Sequence, residues 1–84
     1  MTNLYTGTID TEGQYQTLGS LTGLTFESNK KYVIQIQNQA WLREGATGDG
    51  FLINRPLPIQ YTKGTDDLYI KTYNTRECVV NIAD

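Results

Sequence analysis

A strict alternation of side chains over residues 31–38 is the feature that most constrains the fold of this chain. Its two alternating sets are Tyr32, Ile34 and Ile36 on one side and Val33, Gln35 and Gln37 on the other. Successive side chains of a β-strand point to opposite faces of a sheet, so a period of two over this length is typical of a half-buried strand. The segment therefore predicts a strand whose isoleucines lie in a core.

Further short strands separated by turns are expected along the rest of the chain. The expected strands are Ala40–Glu44, Ile59–Thr62 and the alternating segments that begin at Leu68 and Cys78, and Phe51, Leu52 and Ile53 make a short apolar run between the first two. The expected loops and turns between them, rich in Gly or polar residues, are 45–50, 63–67 and 74–75. Strands of this length joined by short turns favour antiparallel pairing.

Two local features modify this pattern. A strand at 24–27 is expected to pair with 31–38 as a hairpin, through a turn at 28–30. Pro56 and Pro58 have no backbone N–H to donate, so they place their stretch at a strand end, an edge or a bulge.

The first 23 residues are less regular in pattern. Leu18, Leu21 and Leu24 are spaced as on one face of a helix, but Gly19 and Gly23 are costly in a helix. We therefore expect an irregular or weakly extended stretch with leucine anchors, and no helix of two turns anywhere in the chain.

The composition agrees with strands and turns, because Thr, Asn and Gln are abundant while Ala, Glu and Lys are sparse. The 84 residues suffice for one domain. We predict a single all-β domain over 1–84, a small antiparallel β-sandwich or open barrel of about six to eight short strands, with 1–23 less regular. The residues expected in the core are Ile34, Ile36, Leu68, Ile70, Val80 and Ile82.

Charge and residue counts exclude several classes of function. The net charge of −2 disfavours nucleic acid as a partner, because phosphate binding needs a basic surface. Histidine is absent, which removes the usual general base near neutral pH. No apolar run approaches the length of a membrane span, and the N-terminus does not resemble a secretory signal. The single cysteine excludes an intrachain disulfide.

The acidic and thiol side chains do not predict a catalytic, cofactor or metal site. Asp49, Asp66 and Asp67 could suggest calcium, but the neighbours of Asp49 do not supply enough oxygen ligands, and turn capping explains them better. With Glu44 they could form a glycosidase pair, yet a chain this small has little room for a deep cleft. Cys78 lies in phase with the core, which predicts an inert buried thiol.

The aromatic residues predict an interaction surface of one of two kinds. Trp41 with Tyr61, Tyr69 and Tyr73 could form a platform for sugar rings, or could serve ordinary packing and protein interfaces. On the last two strands Tyr69, Tyr73 and Val79 lie opposite the core set, and a small domain has no second layer to cover them. The predicted interface residues are therefore Trp41, Tyr69, Tyr73 and Val79.

Five segments follow one another between residues 24 and 84, with a Pro-containing link before the fourth: 31–38 (KYVIQIQN), 41–44 (WLRE), 48–52 (GDGFL), 68–71 (LYIK) and 79–83 (VVNIA). The order of these motifs resembles that of the small all-β virion proteins of tailed bacteriophages. The resemblance implies a non-enzymatic structural role in a virion, as a capsid decoration, fibre-base or connector component made in the host cytoplasm. It implies capsid or tail proteins as partners and a homo-oligomer, with a trimer slightly ahead of a dimer.

Two other functions remain open at this point. The first is a small carbohydrate-binding or adhesion module, which an exposed Trp41 beside tyrosines would favour. The second is a minor enzyme or inhibitor subunit, which a pocket with convergent carboxylates would favour. A buried Trp41 with an apolar patch near the C-terminal strand would instead favour the virion protein.

Overall fold

A computed structural model describes residues 2–55, 57–73 and 76–84 of the chain. Within them it contains eight strands and one short helix. In chain order these are β1 (Asn3–Ile9), β2 (Gln16–Thr17), α1 (Leu18–Thr22), β3 (Lys31–Gln37), β4 (Ala40–Glu44), β5 (Phe51–Ile53), β6 (Ile59–Thr62), β7 (Leu68–Thr72) and β8 (Cys78–Ala83). The turn expected at 74–75 and the position of Pro56 lie outside the described residues.

The strands form two four-stranded antiparallel sheets. The first has the order β1-β8-β3-β6 and the second has the order β2-β7-β4-β5. The first strand pairs with the last, the second with the second last, and so on inward: β1 with β8, β2 with β7, β3 with β6 and β4 with β5. This is a long antiparallel ribbon folded over on itself, which is the strand order of a double-sheet jelly roll. The predicted small antiparallel all-β fold is confirmed.

The core lies between the inner faces of the two sheets. In β3 and β8 every second residue is buried, because alternate side chains of each strand turn inward. All six residues predicted for the core are at most 5% exposed. The other buried apolar residues are Ile9, Leu18, Tyr32, Ala40, Leu42, Tyr61 and Cys78.

The segment 24–27 does not form the predicted strand, and the predicted hairpin is wrong. Both edges of β3 are already occupied, one by β8 and the other by β6. The segment instead packs against the start of β3: the Phe26 ring meets Tyr32 edge to face at 4.8 Å. The Tyr32 hydroxyl accepts the backbone N–H of Glu27 at 2.8 Å.

The first 23 residues are more regular than their pattern indicates, since they contain β1, β2 and α1. The helix forms where an irregular stretch is predicted, because Leu18 is fully buried and anchors it. Gly23 then ends it in the left-handed conformation, at φ 76°, and donates its N–H to the carbonyl of Gly19 at 2.8 Å. Gly23 thus acts as a helix terminator.

A buried pair of threonines fastens the β1–β2 connection to the end of β7. The N–H of Thr72 donates to the Thr11 hydroxyl at 2.8 Å, and the N–H of Thr11 donates to the Thr72 hydroxyl at 3.2 Å. Both residues are 1% exposed. The reciprocal pair satisfies two backbone donors that burial would otherwise leave without a partner.

Candidate functional site

The outer face of the second sheet carries a cluster of aromatic and basic side chains, here called the aromatic face. Its members are Tyr15, Trp41, Arg43, Tyr69 and Lys71, all half-buried. Strand register brings four of them together, since Trp41 lies opposite Lys71 and Arg43 lies opposite Tyr69 on neighbouring strands. Alternation places all four outward because Ala40, Leu42 and Ile70 turn inward.

Cations and rings alternate across the aromatic face. The Arg43 guanidinium carbon lies 3.9 Å from the centre of the Tyr15 ring and 5.2 Å from that of Tyr69. The Lys71 amine lies 4.8 Å from the Tyr15 ring centre and 5.5 Å from that of Trp41. These are cation–π distances. The rings are therefore already engaged by the protein's own cations.

Arg43 also organises the loop that follows β4. Its Nε donates to the carbonyl of Gly45 at 3.0 Å, and its two terminal nitrogens donate to Ala46 at 3.2 Å and Gly48 at 3.4 Å. The Arg43 side chain thus binds three carbonyls of the loop, and the N–H of Gly45 also donates to the carbonyl of Asp67 at 2.9 Å. This arrangement places Asp49 at the border of the aromatic face.

A shallow recess of about 400 Å³ opens between this loop and the aromatic face. Its walls include Tyr15, Trp41, Asp49, Gly50 and Lys71. A side chain at Gly50 would collide with the Tyr15 hydroxyl and with the backbone of Leu42, so glycine is required for this close approach. The recess offers ring surface, one carboxylate and one amine.

The structure brings together only part of the predicted interface. Trp41 and Tyr69 belong to the aromatic face, and Tyr73 follows β7 in the same outward phase, with its N–H donating to the carbonyl of Gln39. Val79 lies on the outer face of the first sheet, opposite Thr8 and Gln37 on the neighbouring strands. The predicted grouping of Val79 with the tyrosines is wrong, because β7 and β8 belong to different sheets.

Two further residues differ from the sequence-based prediction. Tyr61 is a core residue, 7% exposed, and takes no part in an aromatic platform. Tyr15 is a member that sequence reasoning missed, since it precedes a strand of only two residues, which is too short to produce an alternation.

A second candidate surface lies where β5 leads into β6, and we call it the β5–β6 corner. Phe51 is 79% exposed and Leu57 is 61% exposed, and they are the large hydrophobic side chains exposed among the described residues. Both belong to this corner. β5 is the edge strand of the second sheet and β6 is the edge strand of the first, so the corner also presents two strand edges.

An apolar cleft enters the sandwich between β5 and β6. Its volume is about 520 Å³, and its apolar walls are Leu42, Phe51, Ile53, Ile59, Tyr61 and Leu68. Its polar lining residues are Arg43, Glu44, Asp49 and Gln60. The Tyr61 hydroxyl is buried, with no hydrogen-bond partner among the residues that the structure describes. Burial raises the pKa of Tyr61 to about 12, with a smaller contribution from Glu44.

The remaining candidate groups for chemistry lie apart. No group of three or more His, Cys, Asp or Glu side chains suited to a metal ion occurs in the described part of the chain. Cys78 is fully buried, and burial raises the pKa of its thiol to about 11, with a smaller contribution from Asp10. A protonated, buried thiol is a poor nucleophile.

Comparisons with protein-family models, with curated proteins and with solved structures each found no match. Across residues 2–55, 57–73 and 76–84, no helix is long and apolar enough to cross a membrane. The surfaces of the chain itself are therefore the basis for a functional proposal.

Proposed function

We propose that the protein is a non-enzymatic structural component of a bacteriophage virion, such as a capsid decoration, fibre-base or connector component, that acts through protein–protein contacts. The observation that carries the contact role is the β5–β6 corner. Exposed large hydrophobic side chains, here Phe51 in the wall of an apolar cleft and Leu57 in a neighbouring depression, are typical of a protein interface.

The virion setting is supported by the resemblance of residues 24–84 to small phage virion proteins. Jelly rolls serve in viral capsid proteins and in lectins alike, so the fold alone does not choose between the two. The surface favours the structural role, because the rings of the aromatic face are half-buried and lie within cation–π distance of Arg43 or Lys71, whereas Phe51 is 79% exposed.

Mass spectrometry of purified particles tests this proposal directly. Particles of the phage that encodes the chain are expected to contain it in many copies, and its gene is expected beside capsid or tail genes. A Phe51→Ser chain supplied in place of the parent should be depleted from the particles. A Gln37→Ala chain, altered at an exposed position of β3, should be retained. Absence of the parent chain from intact particles would refute the virion role.

A second candidate function, a carbohydrate-binding or adhesion module, is favoured by the recess on the aromatic face. Trp41 and Tyr15 supply ring surface there, and Asp49 and Lys71 supply hydrogen-bonding groups. Trp41 is the one tryptophan of the chain, so its fluorescence reports on this recess. Titration with a panel of oligosaccharides should shift that emission if the recess binds sugar, and Tyr15→Ala should abolish the shift. Unchanged emission across the panel would exclude this candidate.

A further inference from the structure

The β5–β6 corner is incomplete in four respects. Phe51 and Leu57 are exposed, the cleft beside them is open, the strand edges of β5 and β6 are unpaired within the two sheets, and the Tyr61 hydroxyl in the cleft wall lacks a partner among the described residues. Edge strands and exposed apolar groups at one place invite association with another chain.

We propose that the corner binds a second copy of this chain in a two-fold symmetric dimer, in which Phe51 of each copy enters the cleft of the other. The proposal rests on the contact role given above and names the partner for it.

Shape supports a second copy because one patch holds both halves of the contact. Phe51 projects from the rim of the cleft, and the cleft volume of about 520 Å³ is ample for a phenylalanine ring. The apolar walls of Leu42, Ile53 and Leu68 suit that ring. In a two-fold interface the same patch faces itself, so a projection beside a recess is self-complementary.

The same adjacency decides the symmetry. A threefold ring needs the projecting and the receiving surface on different sides of each subunit, so that contacts run head to tail. In this chain the projecting Phe51 and the receiving cleft lie on the same side of the subunit. The geometry thus favours a dimer over the trimer that the resemblance implies.

Charge supports the same arrangement. The cleft lining holds two acidic residues, Glu44 and Asp49, and one basic residue, Arg43, so it is acidic on balance, while Arg55 lies with Leu57 in a neighbouring depression of the corner. Two-fold rotation brings the basic side of one copy toward the acidic side of the other. Each corner is therefore complementary to itself in charge as well as in shape.

A small molecule explains the corner less well. It would fill the cleft but leave Leu57 and the outer part of Phe51 in water, whereas a second chain covers all of them. A different protein as occupant lacks the self-complementarity of shape and charge and becomes an outcome of the test.

Sedimentation equilibrium of the full chain, with three variants, provides that test. The parent should be a dimer at micromolar concentration. Phe51→Ser should weaken the dimer by at least about tenfold, since a buried aromatic anchor carries much of an interface's energy. Phe51 is 79% exposed in the single chain, so folding should be intact, which circular dichroism checks.

Charge exchange gives an independent readout. Arg55→Glu and Asp49→Lys should each weaken the homodimer, because each places like charges together. An equal mixture of these two variants should recover dimers, since every cross-pair then joins opposite charges. Recovery of dimers in the mixture, but not in either variant by itself, identifies a direct contact between two copies of the chain.

Three outcomes would overturn the inference: a monomer up to near-millimolar concentration, a trimer, or a dimer indifferent to all three variants. A monomeric parent that enters phage particles, and loses that ability with Phe51→Ser, would refute the second copy and keep the proposed function, with another virion protein in the cleft. A dimer found in no virion would refute the proposed function and keep the inference.

Discussion

At the scale of single residues, Tyr61 is where packing and polarity conflict most directly. Its ring packs in the core, 7% exposed, while its hydroxyl is buried without a hydrogen-bond partner among the described residues. A buried hydroxyl in this state costs free energy that a hydrogen in its place would not. Burial also disfavours the phenolate, which is why the pKa is raised from 10.0 to about 12.

Tyr61→Phe should leave the free energy of unfolding at neutral pH unchanged or raise it by about 1 kcal/mol. Because the folded-state pKa exceeds the unfolded value, the neutral phenol contributes stability that is fully present below pH 10.0 and is lost as pH rises toward about 12. The variant should lose less stability over that window than the parent does. Urea unfolding at several pH values measures both effects, and a loss above about 1 kcal/mol at neutral pH would mean that the hydroxyl has a partner.

Cys78 should react slowly with thiol reagents in the native state. Its side chain is fully buried, and its pKa is raised to about 11, chiefly by burial. A reagent therefore cannot reach the sulfur, and little of the sulfur is present as the reactive thiolate. Labelling by iodoacetamide near neutral pH should be on the order of 100-fold or more slower in buffer than in urea. Equal rates in the two solvents would show that the thiol is accessible and would reopen an enzymatic role.

At the scale of elements, β3 has two faces that should respond differently to the same substitution. Ile36 is 1% exposed and faces the core, while the adjacent Gln37 is exposed. Ile36→Ala should cost about 2–5 kcal/mol through lost burial and the cavity left behind. Gln37→Ala should change stability by no more than about 0.5 kcal/mol. Denaturant unfolding measures both, and a reversed order would mean that the strand faces the other way.

The threonine pair should make the end of β7 sensitive to loss of one hydroxyl. Thr72→Val keeps the shape but leaves the buried N–H of Thr11 without its acceptor, which should cost about 1–3 kcal/mol. Thr62→Val is the matched control, because Thr62 is exposed at the end of β6. Equal effects of the two substitutions in urea unfolding would show that the buried pair contributes nothing.

At the scale of the whole molecule, the main feature of the topology is the pairing of the first strand, β1, with the last strand, β8. Asn3 at the start of β1 pairs with Ala83 at the end of β8, and an ion pair of 3.1 Å joins Lys30 to Asp84. These contacts close almost the full length of the chain. The chain must lose conformational entropy to form these long-range contacts before burial of the core contributes stabilising free energy.

Refolding should therefore be slow for a chain of this size, in the range of milliseconds to seconds. Stopped-flow dilution from urea, followed by Trp41 fluorescence, measures the rate. Refolding on the microsecond scale would contradict the strand order, because local pairing alone accounts for such speed.

Local pattern was sufficient for β3, β4, β6, β7 and β8 and for one side of the site, whereas β1 and β2 lie in a stretch that it predicts to be irregular. Alternation placed Ile34, Ile36 and Val80 in the core, and it placed Trp41 and Tyr69 outward. Both follow from the period of two in a strand that has one buried face.

Alternation carries no information about which sheet a strand joins. That is why Val79 was grouped with Tyr69 although the two lie on different sheets, and why 24–27 was paired with a strand whose edges are already occupied. Burial of Leu18 likewise decided the short helix in spite of Gly19, since tertiary packing outweighs the cost of about 1 kcal/mol of one glycine inside a helix.

By itself the sequence determined that the chain forms strands and which side of β3, β7 and β8 is buried, because these depend on neighbours within a few residues. Tertiary structure alone decided the jelly-roll order, the meeting of Arg43 with Tyr15, and the exposure of Phe51 beside an open cleft. Each of these joins residues from separate strands or loops, and such contacts arise from how strands share edges and sheets share a core. The one-dimensional pattern indicates which face of a strand is buried, whereas the packing of the strands determines the surface that is available to a partner.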